Sequence, residues 1–546
     1  MKLSRRSALA IIAAAAAGLT YTILPGSRQQ RVRHILPSVT ADSLSVSVSL
    51  VHPSAALVLS VDGVDHAGHQ TDTEGRFWSF AVDGLSPATE YQLQLFESGA
   101  VIEDNWPLKT FPAWDTMPHS LCLLAYTCAG GGDGFGVGSR QFFKPHSFRR
   151  KLFEEGLAQN PDAAIAIGDH IYFDLKAQAF PSAGKGLIKV FSGLYMRMKY
   201  GAFDRDAPIL GTSNETLLKR ICDEQIADLY GTRFKSVPVF FVADDHDYFE
   251  NDDANEDFVT FPPDAFSEQA QATIASLYYP PLPHPPIPDA NRHFGIFRYG
   301  RLFEAPLFDC AGKLSVAGND IGLIPRGAEE WIMQRTATSD ALHFALVPSH
   351  PMGWTAGKWR EWYPDVVAPA GFTGVVTNTV MDDIAADQLT TSAQKYLWPQ
   401  EWWHQHQRLL GALYKRSGSR FMFSGDVHAQ GAVAITASGN LKLADKPVIS
   451  VLVGPVSSSD ATWPSSARGI AAAEPGWIET ETLVETKESN GFAILEIEKS
   501  EVRVVLHDCG GYDRSLGEDG QTQKTQEIHL GSSTVDSGYD PQHSAL

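Results

Sequence analysis

Five short apolar runs, at residues 121–125, 163–167, 239–242, 342–347 and 421–423, are each followed within a few positions by side chains of the kinds that bind metals. Those side chains are Cys128, Asp169 with Tyr172, Asp245 with His246, His350, and Asp426 with His428. Runs this short fit buried strands better than buried helices. Strand ends that meet on one edge of a sheet are where α/β proteins assemble their chemistry. A fold for this chain must therefore bring five strand termini together, with helices or loops as the crossovers.

The intervening sequence supplies those helices. Stretches 148–158, 216–229 and 401–415 have helical patterning, and their alternation with strand runs predicts an α/β layered domain over 119–511. Ahead of it, residues 35–113 read as a small β-sandwich, because Leu44, Val46, Val48 and Leu50 alternate with serines. Phe77-Trp78-Ser79-Phe80 and Tyr91-Gln92-Leu93-Gln94-Leu95 give further strands. The segment Gly84-Leu85-Ser86-Pro87-Ala88-Thr89-Glu90-Tyr91 is similar to the tyrosine corner of fibronectin type III domains. Residues 112–118 read as a linker. The proline-rich stretch 280–288 is excluded from helix and central strand and is expected as a stiff surface loop after the acidic stretch 250–257. Residues 502–506 predict a late strand, and the polar residues 512–546 a disordered tail.

The net charge is −20 and no basic block lies beyond the N-terminus, which argues against a nucleic-acid-binding surface. Lys2, Arg5 and Arg6 precede an Ala- and Ile-rich run at 8–18. Residues 1–30 therefore read as an export signal, with Ser4-Arg5-Arg6 resembling a twin-arginine motif. The expected partner is the export machinery, and the expected location is the periplasm, the cell surface or the medium. A clean small-x-small cleavage site is missing, so persistence as an N-terminal membrane tether stays open. Five cysteines leave at least one thiol over, and the absence of a CxxC pair argues against a zinc ribbon.

Each junction has its own chemistry. In Ile167-Gly168-Asp169-His170-Ile171-Tyr172 the glycine permits a sharp turn and Asp169 can bridge two cations. In Asp244-Asp245-His246-Asp247, Asp245 is the expected ligand, and His246 lies beside it, near a substrate. Asp426 and His428 are two apart, so an extended stretch points both the same way. His350 follows its strand in Ser349-His350-Pro351, and Cys128 follows the first strand of the domain. His404 and His406 are expected at the surface of a helix. Trp354, Trp359, Trp362 and Tyr363 are candidates for stacking on a leaving group or for packing their loop.

Together these blocks resemble the metallophosphoesterase superfamily, whose pattern runs D-x-H, G-D-x-x-D, G-N-H-D/E, a lone H, then G-H-x-H. Cys128 stands in the first place, Tyr172 at the end of the second block, Asp245 in the asparagine place and Asp426 in the first histidine place. That set is similar to the PhoD-like alkaline phosphatase family. The resemblance implies a metallophosphoesterase-type layered β-sandwich flanked by helices, an N-terminal fibronectin-III-like all-β domain, and hydrolysis of phosphate esters. It implies a ferric ion held by Cys128, Asp169, Tyr172 and His428. It also implies a calcium ion, or another divalent ion, held by Asp169, Asp245 and Asp426 with His350. Two departures stand out. The Ser-His-Pro histidine is closer to the general superfamily, and Asp309-Cys310-Ala311 occupies the place of an Asp-x-Arg-like segment.

A charge count points the same way. Cys128, Tyr172, Asp169, Asp245 and Asp426 offer five anionic donors, matched by a trivalent plus a divalent ion, and thiolate and phenolate suit the trivalent one. The expected mechanism has His246 as general acid, oriented by Asp247 or another carboxylate, and Arg140 as the positive side chain facing the phosphoryl group. The alternative is an extracellular binding or adhesion protein carrying a catalytically inert domain of this type.

Overall fold

The computed structural model describes residues 31–134, 136–137, 140–141, 143–175, 197–250, 261–287, 290–315, 322–352, 400–458, 478–509 and 523–531. The predicted export signal, the tryptophans of 353–399 and the acidic residues 251–257 lie outside them. Residues Val32–Leu546 form one compact unit. Among the described residues no helix is long and apolar enough to cross a membrane.

The N-terminal part is two four-stranded antiparallel sheets. Strands β1 (Val32–Val39), β2 (Ser43–Leu50), β5 (His69–Gln70) and β6 (Phe77–Asp83) pair in the order β1-β2-β6-β5. Strands β3 (Leu57–Val61), β4 (Val64–Ala67), β7 (Glu90–Glu97) and β8 (Ala100–Lys109) pair as β4-β3-β7-β8. The expected alternation holds in β2, where Leu44, Val46, Val48 and Leu50 enter the core. The Tyr91 hydroxyl accepts the Ser86 N–H at 2.7 Å, five residues back. The serine face of β2 is not solvated as a free sandwich would have it. Ser47 and Ser49 are buried, and Ser49 meets His34, whose ring stacks 5.6 Å from Tyr278 of the next part of the chain.

The rest of the molecule has four layers. Strands β9 (Ser120–Thr127), β12 (Ala163–Ile167), β13 (Val239–Val242), β22 (Gly491–Glu498), β23 (Glu501–Asp508) and β24 (Gln523–Gly531) form one sheet, in the order β13-β12-β9-β22-β23-β24. The second sheet runs β14 (Phe294–Tyr299), β15 (Phe303–Phe308), β16 (His343–Pro348), β17 (Arg420–Ser424), β20 (Val448–Val453), β18 (Gln430–Ser438) and β19 (Leu441–Lys442), with β21 (Ile478–Lys487) on β18. A short hairpin, β10 (Gly136–Val137) with β11 (Arg140–Gln141), follows β9.

Side-chain alternation explains the layers. Leu121, Leu123 and Ala125, with Ile165, Ile167 and Val242, meet Ala345, Val347, Phe421 and Phe423 between the sheets. The alternate residues Leu124, Tyr126, Ala166 and Phe241 face outward under helices α1 (His146–Leu157), α2 (Ser213–Cys222), α3 (Asp228–Tyr230) and α4 (Ala265–Tyr278). Phe344, Leu346 and Met422 pack under α5 (Arg326–Thr338) and α6 (Gln400–Tyr414). Burial on both faces is why these strands read as unbroken apolar runs rather than alternating ones.

Two expectations need correction. The tail expected as disordered over 512–546 contains β24, which pairs with β23 and buries Ile528 and Leu530. His406, on α6, is fully buried rather than at the surface, and burial lowers its pKa to about 3. The proline-rich segment, described as far as residue 287, lacks regular structure and exposes Ile287, as a stiff surface loop should, and it is pinned to the neighbouring sheet. The Ile296 N–H of β14 donates to Pro283 at 2.8 Å, and Leu282 is buried. The linker 112–118 has neither helix nor strand, as expected, and its Thr116 carbonyl accepts the Arg301 N–H at 2.7 Å.

Candidate metal centre

Adjacent parallel strands place their carboxyl ends side by side. β12 lies between β9 and β13, in parallel with both, so Thr127, Ile167 and Val242 reach the same sheet edge. β16 and β17 end on the matching edge of the second sheet. The turns interlock: Cys128 N–H donates to Gly168 at 3.2 Å, and Gly168 N–H donates to Val242 at 2.7 Å. Gly425 closes the two sheets on each other, since a Cβ there would lie 2.1 Å from Thr127 Oγ1 and 2.8 Å from the Ile167 carbonyl. Gly168 has φ +67° and its Cβ would strike Asp244, so only glycine fits both its torsion and its space.

Four non-glycine residues at these ends sit in the left-handed region: Cys128 (φ 51°), Asp169 (φ 58°), Asp426 (φ 68°) and His428 (φ 52°). Such strain persists only where surrounding structure over-determines it, and it concentrates at functional sites. Here it turns each side chain off the end of its strand toward a common point.

Three overlapping groups of buried donors result, each with its ligand atoms within 4.8 Å of one another: Cys128, Asp169 and His428; Asp169, Asp244 and Asp245; and Asp244, His350 and Asp426. Cys128 Sγ lies 3.3 Å from Asp169 Oδ2, and the Tyr172 hydroxyl donates to the same oxygen at 2.8 Å. Tyr172 is boxed by Phe143 and His246, with ring centroids at 4.8 Å and 4.3 Å. His350 Nδ1 is 3.0 Å from Asp244 Oδ1, and the Ser349 hydroxyl donates to that oxygen at 3.2 Å.

The predicted ligands Cys128, Asp169, Tyr172, Asp245, His350, Asp426 and His428 are thus brought together, but the expected division between two positions changes. Asp244, not Asp245, groups with His350 and Asp426; Asp245 groups with Asp169 and Asp244. Asp244 and Asp245 are both fully buried and both bring a carboxylate to Asp169, so the adjacent pair supplies two donors where one is expected. Asp247 is likewise not the partner of His246. Its carboxylate accepts the N–H groups of Asp169, His170 and Asp244 at 3.1, 2.8 and 2.9 Å, bracing two turns at once. Asp174 takes the other role, with Oδ1 3.2 Å from His246 Nδ1. Arg140 lies in the short hairpin at β11. Asp309 is fully buried and bonded to Tyr248 and His293, and it belongs to none of the three donor groups.

The electrostatics fit a bound cation. Burial raises the Cys128 thiol and the Tyr172 phenol well above their ordinary values, and Asp169 raises both further. Asp169 is itself raised, by burial and then by Asp245. His246 moves up despite burial, because Asp245 and Asp174 outweigh it. Asp169 Oδ1 is buried without a hydrogen-bond partner, an expensive arrangement for a carboxylate oxygen unless a cation satisfies it. Sulfur, phenol, imidazole and carboxylate donors around that oxygen suit metal ions.

No protein-family model matches the chain, and no curated protein matches it. Among solved structures, that of PhoD is similar over 93% of this chain and 92% of its own, with 15% identity and a TM-score of 0.56. A purple acid phosphatase from yellow lupin (Lupinus luteus) seeds is similar over 91% of this chain and 74% of its own, with 12% identity and a TM-score of 0.51. The likeness is one of fold: the chain has the layered metallophosphoesterase-type architecture, preceded by an all-β part.

Proposed function

We propose that this chain is a metal-dependent phosphoric ester hydrolase of PhoD-like type, an alkaline phosphatase or phosphodiesterase acting outside the cytoplasm. The observation that carries the reading is the set of three donor groups linked through Asp169 and Asp244 at the converging strand ends. The solved structures that share the fold include a phosphatase. The export part rests on Lys2, Arg5, Arg6 and the apolar run at 8–18.

Cys128, Asp169, Tyr172 and His428 would hold one ion, a ferric ion on this reading. Asp244, His350 and Asp426 would hold the second, a calcium or other divalent ion, with Asp169 and Asp245 between the two. Asp244 raises the anionic donors to six, which strengthens the preference for a trivalent ion. A bound pair supplies Lewis acidity toward phosphoryl oxygens and a nucleophile at neutral pH. The chain's own residues do the rest. Asp174 orients His246 through Nδ1, so that Nε2 carries the proton given to the leaving alkoxide. Asp247 holds the Asp169 and Asp244 turns at fixed separation. Tyr172 packs against the His246 ring and limits its rotation.

Elemental analysis of the purified protein, with a panel of phosphate monoesters and diesters, tests the reading. Stoichiometric iron, a visible phenolate-to-iron absorption that Tyr172→Phe removes, and turnover abolished by Asp169→Ala are the expected results. A colourless, metal-free protein with full activity, or a metal-free protein with none, would sink it.

A further inference from the structure

Between α2 and α3 the helix widens into a π-helical turn, Asp223–Ala227. Such turns interrupt a helix by one residue and re-aim the side chains they carry. Here three consecutive side chains reach three separate parts of the molecule. Asp223 pairs with Arg33 and, at 2.9 Å, with Arg76, both from the N-terminal sandwich, and accepts the Tyr278 hydroxyl at 2.7 Å. Glu224 accepts the Asp133 N–H at 3.2 Å and pairs with Lys199 at 2.6 Å. Gln225 is 1% exposed and points behind the metal centre.

There Gln225 Oε1 accepts two N–H groups, from Gly131 at 2.6 Å and from Tyr172 at 2.7 Å. Its Nε2 donates back to the Tyr172 carbonyl at 3.2 Å. One amide therefore ties the loop that follows Cys128 to the loop that follows Asp169. The carbonyl side of the first loop is held by another residue. The fully buried Arg149 donates to the carbonyls of Ala129, Gly130, Gly131 and Gly132 at 2.9 to 3.1 Å. Gly131 cannot be replaced to relax this loop, because with φ +100° its Cβ would lie 2.3 Å from the Phe143 ring. Phe143 in turn packs against Cys128 and Tyr172.

We propose that Gln225 is a positioning residue that keeps the Cys128 and Tyr172 loops in mutual register, and that Asp223 on the same π-turn fastens this register to the N-terminal sandwich. The consequence for metal binding rests on the proposed metal centre; the structural link does not.

The test uses the full chain, stripped of metal and then reloaded. In metal-free protein, Gln225→Met should speed amide hydrogen exchange in peptides covering 128–133 and 170–174 by about tenfold or more, since two buried N–H groups lose their acceptor. Gln225→Glu keeps the acceptor for both N–H groups and loses only the donor to the Tyr172 carbonyl, so its loops should exchange more slowly than those of Gln225→Met. Arg76→Met, at a partly exposed side chain, should loosen 223–227 and 170–174 while the protein remains folded. Wild-type exchange in the loops of both Gln225→Met and Arg76→Met overturns the proposal. In reloaded protein, Gln225→Met should lower metal occupancy and shift the visible absorption. If the wild type takes up no metal, the metal-centre reading fails, and the exchange results still decide the role of Gln225.

Discussion

Asp244 and Asp245 are neighbours with the same chemistry, and the fold separates their roles. Asp244 Oδ1 meets His350 and Ser349, whereas Asp245 Oδ1 accepts its neighbour's N–H, from His246, at 2.8 Å. Asp244→Ala should therefore remove the second metal while leaving the absorption of the Cys128 and Tyr172 position, as elemental analysis and visible spectra would report. Loss of both ions together, or of neither, would contradict the division. His246→Ala should keep the metals and slow esters with poor leaving groups by about 10²- to 10⁴-fold, the usual worth of a positioned acid. Activated aryl esters should be slowed far less; an equal loss for both classes would assign His246 a different role. Asp174→Asn should move rates the same way to a smaller extent. The types and order of the donors were legible from residues 128 to 428, because each follows an apolar run directly. Asp174 carried no such signal: it stands five residues past Asp169 and reaches His246 only after the chain has returned through β13.

At the level of elements, β24 shows where local patterning is insufficient. Gln523–Gly531 is polar enough to resemble a tail, yet it completes the edge of the six-stranded sheet against β23. Its inward residues Ile528 and Leu530 join the core between the sheets. Deleting residues 523–546 should cost several kcal/mol, at about 1.5–3 kcal/mol for each large buried side chain, and should expose β23 as an unpaired edge. Urea denaturation and light scattering would measure this; an unchanged midpoint with no aggregation would show that β24 contributes nothing. The helices carry a clearer local signal. Residues 148–158 and 401–415 correspond to His146–Leu157 and Gln400–Tyr414, because an amphipathic stripe repeats over several turns. The patterning of 216–229 predicts one helix, and the π-turn within it has no marker in the sequence.

In the whole molecule, the sandwich and the layered part are joined by buried charge as well as by apolar contact. Lys219 Nζ lies 2.6 Å from Asp72 Oδ2 and 2.6 Å from Glu215 Oε1, and all three side chains are nearly inaccessible. Glu215 also accepts the Thr73 N–H at 3.0 Å. Burial alone would raise the Glu215 carboxyl, but the bonds from Lys219, Thr73 and Gly211 outweigh it and hold the pKa at about 2. The unfolded chain titrates near ~4.3, so this stabilisation is complete above that pH and fades as pH falls through about 2. Denaturation followed across that window should show a steeper acid loss for wild type than for Glu215→Gln, which should be less stable at neutral pH. Parallel profiles would show that Glu215 is not linked to folding. Lys219→Met should cost about 3–5 kcal/mol, because it strands two carboxylates in the interior.

The amino-acid sequence by itself determined the layered α/β class, the leading all-β part, the order of the ligand-bearing strands and the chemical types of the donors. These are properties of short windows, where apolar runs, glycine turns and the side chains that follow them are contiguous. Tertiary structure alone decided which aspartate of an adjacent pair meets His350 and Asp426, which carboxylate meets His246, how β24 closes its sheet, and how the sandwich reaches the centre through Asp223 and Gln225. Each of those outcomes depends on a partner far away in the chain, and proximity of that kind exists only once the two sheets have packed.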